Sequence, residues 1–141
     1  MQNFEKNRTF APPDTILIVE DDYISSLLLQ EYLKMENFRI LTAKNGAVAV
    51  SVVQKNVNNI SLILMDILMP NMDGSEAAKE IKKITKNIPI IAQTSQIYNL
   101  KNYDLSFFDD IIIKPVNFRK LKELFYFYLE QSNSTSEIST L

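Results

Sequence analysis

A chain of 141 residues, 46% hydrophobic and 23% charged, has the length and balance of one soluble domain. Its 15 Lys and Arg against 17 Asp and Glu leave a net charge of −2, which argues against a basic nucleic-acid-binding face and so against direct DNA binding. With no Cys and no His, disulfides, thiol nucleophiles, Cys/His zinc sites and Ser-His-Asp triads are excluded, so the chemistry must rest on carboxylates, hydroxyls, lysines or backbone.

Residues 1–14, with Ala11-Pro12-Pro13, carry no period and read as a lead-in; the polar residues 1–8 lack a signal peptide's apolar run. Ile16-Leu17-Ile18-Val19 is a continuous apolar strand. Residues 23–34 follow as a helix whose apolar positions are Ile24, Leu27, Leu28 and Leu33. A weaker strand spans 38–43. Residues 47–53, with Val48, Val50 and Val52, suit a strand or a helix, and the βαβ rhythm favours a helix. Leu62-Ile63-Leu64-Met65 is the next strand. Residues 75–85 form a helix with Ala77, Ala78, Ile81 and Ile84 inward and Lys79, Glu80, Lys82 and Lys83 outward. Ile88-Pro89-Ile90-Ile91-Ala92 is the fourth strand. Residues 96–106 have no clean period and hold one short helix at most. Ile111-Ile112-Ile113 is the fifth strand, and residues 117–130 are a helix presenting Phe118, Leu121, Leu124, Phe125 and Tyr128. Residues 132–141 are rich in Ser and Thr and read as a loose polar tail, leaving 15–131 as the domain.

Continuous rather than alternating apolar runs mark strands covered on both faces. Five β-α units therefore give an α/β, three-layer, doubly wound parallel sheet, whose ligand crevice lies at the strands' C-terminal ends. No apolar run approaches the roughly 20 residues of a membrane span, so a cytoplasmic protein with no membrane partner is expected.

At those ends stand Glu20-Asp21-Asp22, Asp66, Thr94-Ser95 and Lys114-Pro115. Each has an ordinary reading. Acids favour helix starts, a Thr-Ser pair suits a turn, and a strand-end lysine is commonly solvated. Asp66 is harder to dismiss, because an acid abutting a buried strand suffers desolvation unless something compensates it. Four such coincidences at one edge outweigh surface decoration.

Ile16-Leu17-Ile18-Val19-Glu20-Asp21-Asp22 is the first of four blocks that together resemble the receiver domain of two-component response regulators. The others are Leu64 through Gly74 (LMDILMPNMDG), Pro89 through Ser95 (PIIAQTS) and Asp109 through Pro115 (DDIIIKP). The likeness is greatest to receivers of hybrid sensor histidine kinases. It implies a flavodoxin-like (βα)5 sheet of strand order 2-1-3-4-5. It also implies a phosphoacceptor that assists its own phosphorylation and dephosphorylation, and is not otherwise an enzyme. By that resemblance Asp66 takes a phosphoryl group from a phosphohistidine. Asp21, Asp66 and the carbonyl of Leu68 ligate Mg²⁺ directly, and Glu20 does so through water. Thr94 and Lys114 bind the phosphoryl oxygens, Pro70, Asp73 and Gly74 shape the loop after Asp66, and Pro115 aims the lysine through a cis peptide. Gly74 is free to take positive φ before the next helix. The chemistry is consistent, since clustered carboxylates stay ionised only beside a cation and all-oxygen ligands select Mg²⁺.

Lacking histidine, the chain needs a partner donor, a sensor histidine kinase or a histidine phosphotransfer protein. The resemblance also allows a homodimer through the last two α/β units. In the family a switch couples the Thr94 position to an aromatic ring three residues before the lysine; here that position is Ile111, and the stretch from Thr94 to Lys114 is shortened. The nearby aromatics Tyr98, Tyr103, Phe107 and Phe108 are candidate contacts. Two other functions compete. An aspartate-nucleophile phosphatase needs a second acid two residues after the first, where Leu68 stands. A pseudo-receiver used only for binding would not need Glu20, Asp21, Asp66, Thr94 and Lys114 all intact.

Overall fold

The computed structural model describes residues 14–95 and 100–139, with side chains described to residue 131. Five parallel strands, β1 (Thr15–Val19), β2 (Arg39–Ala43), β3 (Leu62–Asp66), β4 (Ile90–Thr94) and β5 (Asp110–Ile113), lie in the order β2-β1-β3-β4-β5. Between and after them come helices α1 (Tyr23–Met35), α2 (Gly46–Asn56), α3 (Gly74–Ile84) and α4 (Phe118–Ser139).

Each strand carries a continuous apolar run because alternate residues serve different layers. Leu17, Val19, Ile63, Met65 and Ile90 pack with Ala49 and Val53 of α2 and Ala77, Ala78 and Ile81 of α3. Ile16, Ile18, Leu62, Leu64, Ile91 and Ile112 face the other way, against Leu29 and Leu33 of α1 and Leu121, Phe125 and Leu129 of α4. Both faces are sealed. Residues 47–53 are helical, as the crossover requires: Asn45 caps α2 by accepting from the Val48 N–H at 2.9 Å.

Four expectations change. Helix α1 buries Ser26, Leu29 and Leu33, while Ile24, Leu27 and Leu28, read as core positions, are exposed. Helix α4 continues to Ser139, into the segment read as a loose tail. Ile84 of α3 and Phe118 of α4, read as inward positions, are each 36% exposed, because they are the last and first residues of helices that reach past the sheet face there. Between β4 and β5 the described residues hold a single 3₁₀ turn, Leu100–Asn102, in keeping with the one short helix at most that the sequence allows. Of the aromatics there, Phe107 and Phe108 pack against the core, Tyr103 is half-buried, and Tyr98 lies outside the described residues.

The fourth change concerns Gly74. It does not take positive φ; Asn71, three residues earlier, does so at 70°. Glycine is needed for a different reason: a Cβ there would run into the Asp66 carbonyl oxygen and lie 2.8 Å from the Ile67 Cα. The start of α3 is pressed onto the end of β3, and only a residue without a side chain fits.

Candidate functional site

The register places the C-terminal ends of β1, β3, β4 and β5 side by side. Val19 pairs with Met65, Asp66 with Gln93, and Thr94 with Ile113. The residue after β1, the last of β3 and the residue after β5 therefore converge. Glu20 and Asp66 are buried there, 4% and 6% exposed, so their carboxylates depend on neighbours for charge and hydrogen bonds.

Lys114 supplies both. Its Nζ lies 3.0 Å from Glu20 Oε2 and 3.0 Å from Asp66 Oδ2, bridging two acids 46 positions apart in the sequence. The Lys114–Pro115 peptide is cis, and the Lys114 N–H donates to the Thr94 carbonyl at 2.8 Å, continuing the ladder beyond β5. The remaining Asp66 oxygen, Oδ1, accepts from the Leu68 N–H at 3.2 Å. Glu20 Oε1 accepts from the Asp22 N–H at 3.3 Å.

One lysine does not balance the acids. Burial, and then the charge of Asp66, push the Glu20 carboxyl up to about 7, against the opposing pull of Lys114. Lys114 responds in the complementary sense. Burial alone would lower its pKa, but the hydrogen bonds and charges of Glu20 and Asp66 outweigh that and raise it.

Asp21 is exposed, yet its carboxylate joins the cluster: one oxygen each from Glu20, Asp21 and Asp66 lie within 4.8 Å of one another. Three carboxylates facing one ammonium leave an excess of negative charge in a pocket lined by hard oxygen donors. Such a site is compatible with a hard divalent cation. Asp22 belongs elsewhere. It caps α1, accepting from the Ser25 N–H at 2.9 Å and the Ser25 hydroxyl at 2.6 Å, which hold its carboxyl below the usual range. The ordinary capping role holds for Asp22 alone of the three consecutive acids.

Thr94 is buried at the end of β4, across the ladder from the residue preceding Lys114. Asp73 caps α3 through the Glu76 N–H at 3.0 Å and Pro70 is exposed on the loop, so both stand on the segment that follows Asp66. Ile111 is half-buried in β5, the edge strand, paired with Ala92 of β4.

Sequence reasoning passed over Gln93. It is fully buried and its Nε2 donates to Glu20 Oε2 at 2.9 Å. The signal was present: a single amide in an apolar strand covered on both faces must find a polar partner.

The family model described as response regulator receiver domain matches residues 16–126. The sensor kinase/phosphatase LuxN of Vibrio campbellii is 32% identical over 124 residues, 86% of this chain and 14% of that protein. The response regulator TrrA of Thermotoga maritima, solved with Mg²⁺ and BeF, superposes with a TM-score of 0.75 at 33% identity, covering 82% of this chain and 98% of that one. The structure of the Saccharomyces cerevisiae phosphotransfer protein Ypd1 with the receiver domain of Ssk1 matches with a TM-score of 0.72 at 29% identity, covering 82% of this chain and 88% of the matched one. The chain spans about half or less of the length of the curated relatives it matches. No helix among the described residues is long and apolar enough to cross a membrane.

Proposed function

The chain belongs to the response regulator receiver domain family, and on that footing we propose that Asp66 accepts a phosphoryl group from a partner's phosphohistidine. The observation that carries this reading is the placement of Asp66. It is buried at the end of β3, held by Lys114 on one oxygen, and clustered with Glu20 and Asp21. An Asp66 oxygen attacks phosphorus, the P–N bond to the histidine breaks with its electron pair leaving on nitrogen, and a mixed anhydride forms on the aspartate. Beyond positioning and charge, such a transfer demands little of the protein.

The acid cluster fits Mg²⁺: Asp21, Asp66 and the Leu68 carbonyl would hold it, with Glu20 bearing on it through water. Bound there, Mg²⁺ neutralises charge on the phosphoryl oxygens. Lys114 then exchanges Asp66 and Glu20 for a phosphoryl oxygen, and the Thr94 hydroxyl donates to another. Pro70, Asp73, Gly74 and Pro115 hold the loops around them. Ile111, stiff at χ1 and without a polar tip, stays packed in β5, and signalling falls to the segment 96–107.

The donor's docking site is the outer face of α1. Tyr23, Ile24, Leu27 and Leu28 are exposed on its first turns, immediately after the acid cluster. A histidine phosphotransfer protein or kinase helix packing there would bring its histidine to Asp66.

The reading is tested by incubating the chain with acetyl phosphate and Mg²⁺ and locating the modified residue by mass spectrometry. A phosphoryl adduct on Asp66 is expected, with none on Asp66→Asn and none without Mg²⁺. Normal uptake by Asp66→Asn overturns the assignment. An intact protein that takes no phosphoryl group would instead favour the pure binding module.

A further inference from the structure

The amide in β4 is out of place by every structural measure. All five residues of the strand are buried, and Gln93 has no exposed surface. Its Oε1 is buried without a hydrogen-bond partner among the described residues, which lowers stability relative to an apolar side chain of similar shape. The other half of the amide is well used. Nε2 lies 2.9 Å from Glu20 Oε2, the oxygen that also accepts from Lys114 Nζ at 3.0 Å. Turning the amide over would set oxygen against oxygen, so the carboxylate itself fixes the orientation that leaves Oε1 unpaired.

The two donors to that oxygen differ in freedom. Lys114 lies just past the edge strand, its side chain 23% exposed, and divides itself between Glu20 and Asp66. Gln93 sits inside the sheet, paired with Asp66 on one side and Ile112 on the other. A new anion beside Asp66 draws away the lysine and leaves the glutamine. Without Gln93, a buried Glu20 would then keep only the 3.3 Å bond from the Asp22 N–H at the moment its position matters.

We propose that Gln93 is a positioning residue, which anchors the Glu20 carboxylate independently of Lys114 so that the lysine can move to a phosphoryl oxygen while Glu20 still bears on the bound cation. This deepens the Mg²⁺-dependent receiver reading and rests on it. Among the described residues no other side chain is seen to donate to Glu20 besides Lys114 and Gln93.

The test is a coupling cycle on the full chain. Mg²⁺ affinity is measured by calorimetric titration and stability by urea unfolding, for wild type, Gln93→Met, Glu20→Ala and the double variant. Gln93→Met is expected to unfold at higher urea yet bind Mg²⁺ about tenfold more weakly, the size typical of a lost partner behind a ligand. In the Glu20→Ala background it should weaken Mg²⁺ no further. Affinity within twofold of wild type would reduce Gln93 to a packing residue. An equal loss in the Glu20→Ala background would show that it does not act through Glu20. Should Gln93→Met not fold, Gln93→Leu is read in the same way. A wild-type chain that binds no Mg²⁺ overturns the receiver reading itself, and this inference with it.

Discussion

Helices α1 and α3 each follow an acid of the pocket, α1 almost directly and α3 after the loop 67–73, and they treat their outer faces in opposite ways. Helix α3 buries Gly74, Ser75, Ala77, Ala78 and Ile81 and turns Lys79, Glu80 and Lys83 outward, while Lys82 folds back to the Ile88 carbonyl at 3.1 Å and to Asp109 at 3.0 Å. Helix α1 buries only Ser26, Leu29 and Leu33, leaving Ile24 and Leu28 each 59% exposed and Tyr23 75% exposed. A solvated outer face belongs to a helix whose work ends at the sheet. An apolar one costs solubility and earns nothing within the monomer, so its use is sought in a partner.

Substitutions should separate the two helices, the largest effect falling on α3. Ile81 is fully buried between the sheet and α2, so Ile81→Ala should destabilise the chain by about 2–5 kcal/mol in urea unfolding. Phosphoryl uptake from acetyl phosphate should persist wherever the variant remains folded. A stability change under 1 kcal/mol, roughly the mean for any substitution, would place this face outside the working core.

On α1 the loss should fall on partner-dependent transfer. Ile24→Asp with Leu28→Asp should leave unfolding within about 0.5 kcal/mol of wild type at each site. It should slow transfer from a phosphohistidine donor about tenfold or more, the equivalent of 1.4 kcal/mol. Uptake from acetyl phosphate, which needs no docking, should not change. If both routes slow together, the patch supports the site rather than a partner.

The acid where α1's lead-in begins offers a pH measurement. Glu20 holds its proton up to about 7 in the folded chain, against 4.5 ordinarily. The unfolded chain releases that proton first as pH rises. This contribution to stability is therefore full below about pH 4.5 and is lost as pH climbs through 7. In metal-free buffer, urea midpoints should fall across that window, and Glu20→Gln should flatten the fall. A slope unchanged by Glu20→Gln would assign it to another group.

The smallest effect belongs to the solvated side of α3. Lys83 and Glu80 pair at 3.0 Å with side chains 62% and 44% exposed, so Lys83→Ala should shift stability by no more than about 0.5 kcal/mol. A larger loss would mean that this face, too, is doing more than meeting water.

Much of the site was legible because strand ends are easy to find. A short run such as Leu62-Ile63-Leu64-Met65, set in an alternating β-α rhythm, reads as a covered strand. The acid closing it was therefore expected at the C-terminal end of the sheet, and the same held for Glu20 and Lys114. What the lysine would touch was less accessible. That Lys114 bridges Glu20 and Asp66, and that Asp22 turns away to cap α1, depend on side-chain directions at a helix start, which consecutive letters do not distinguish. Gln93 was hidden inside a strand assignment that was otherwise correct. Gly74 was chosen for the right place and the wrong property, because a close approach of two elements leaves no mark in one segment.

Helix α1 draws the boundary most clearly. Its sequence alone determines a helix. Ile24, Leu27, Leu28 and Leu33 read there as one face, yet with Leu29 they make two apolar stripes, Ile24-Leu27-Leu28 and Leu29-Leu33, set apart around the axis. Periodicity fixes the angle between such stripes but not the rotation of the helix against its neighbours. Only the tertiary structure decides that Leu29 and Leu33 meet Ile16, Ile18 and Phe38 while the other stripe faces outward beside the acid pocket. Rotation is set by which stripe fits the sheet and α4, and that fit exists only once the strands have paired.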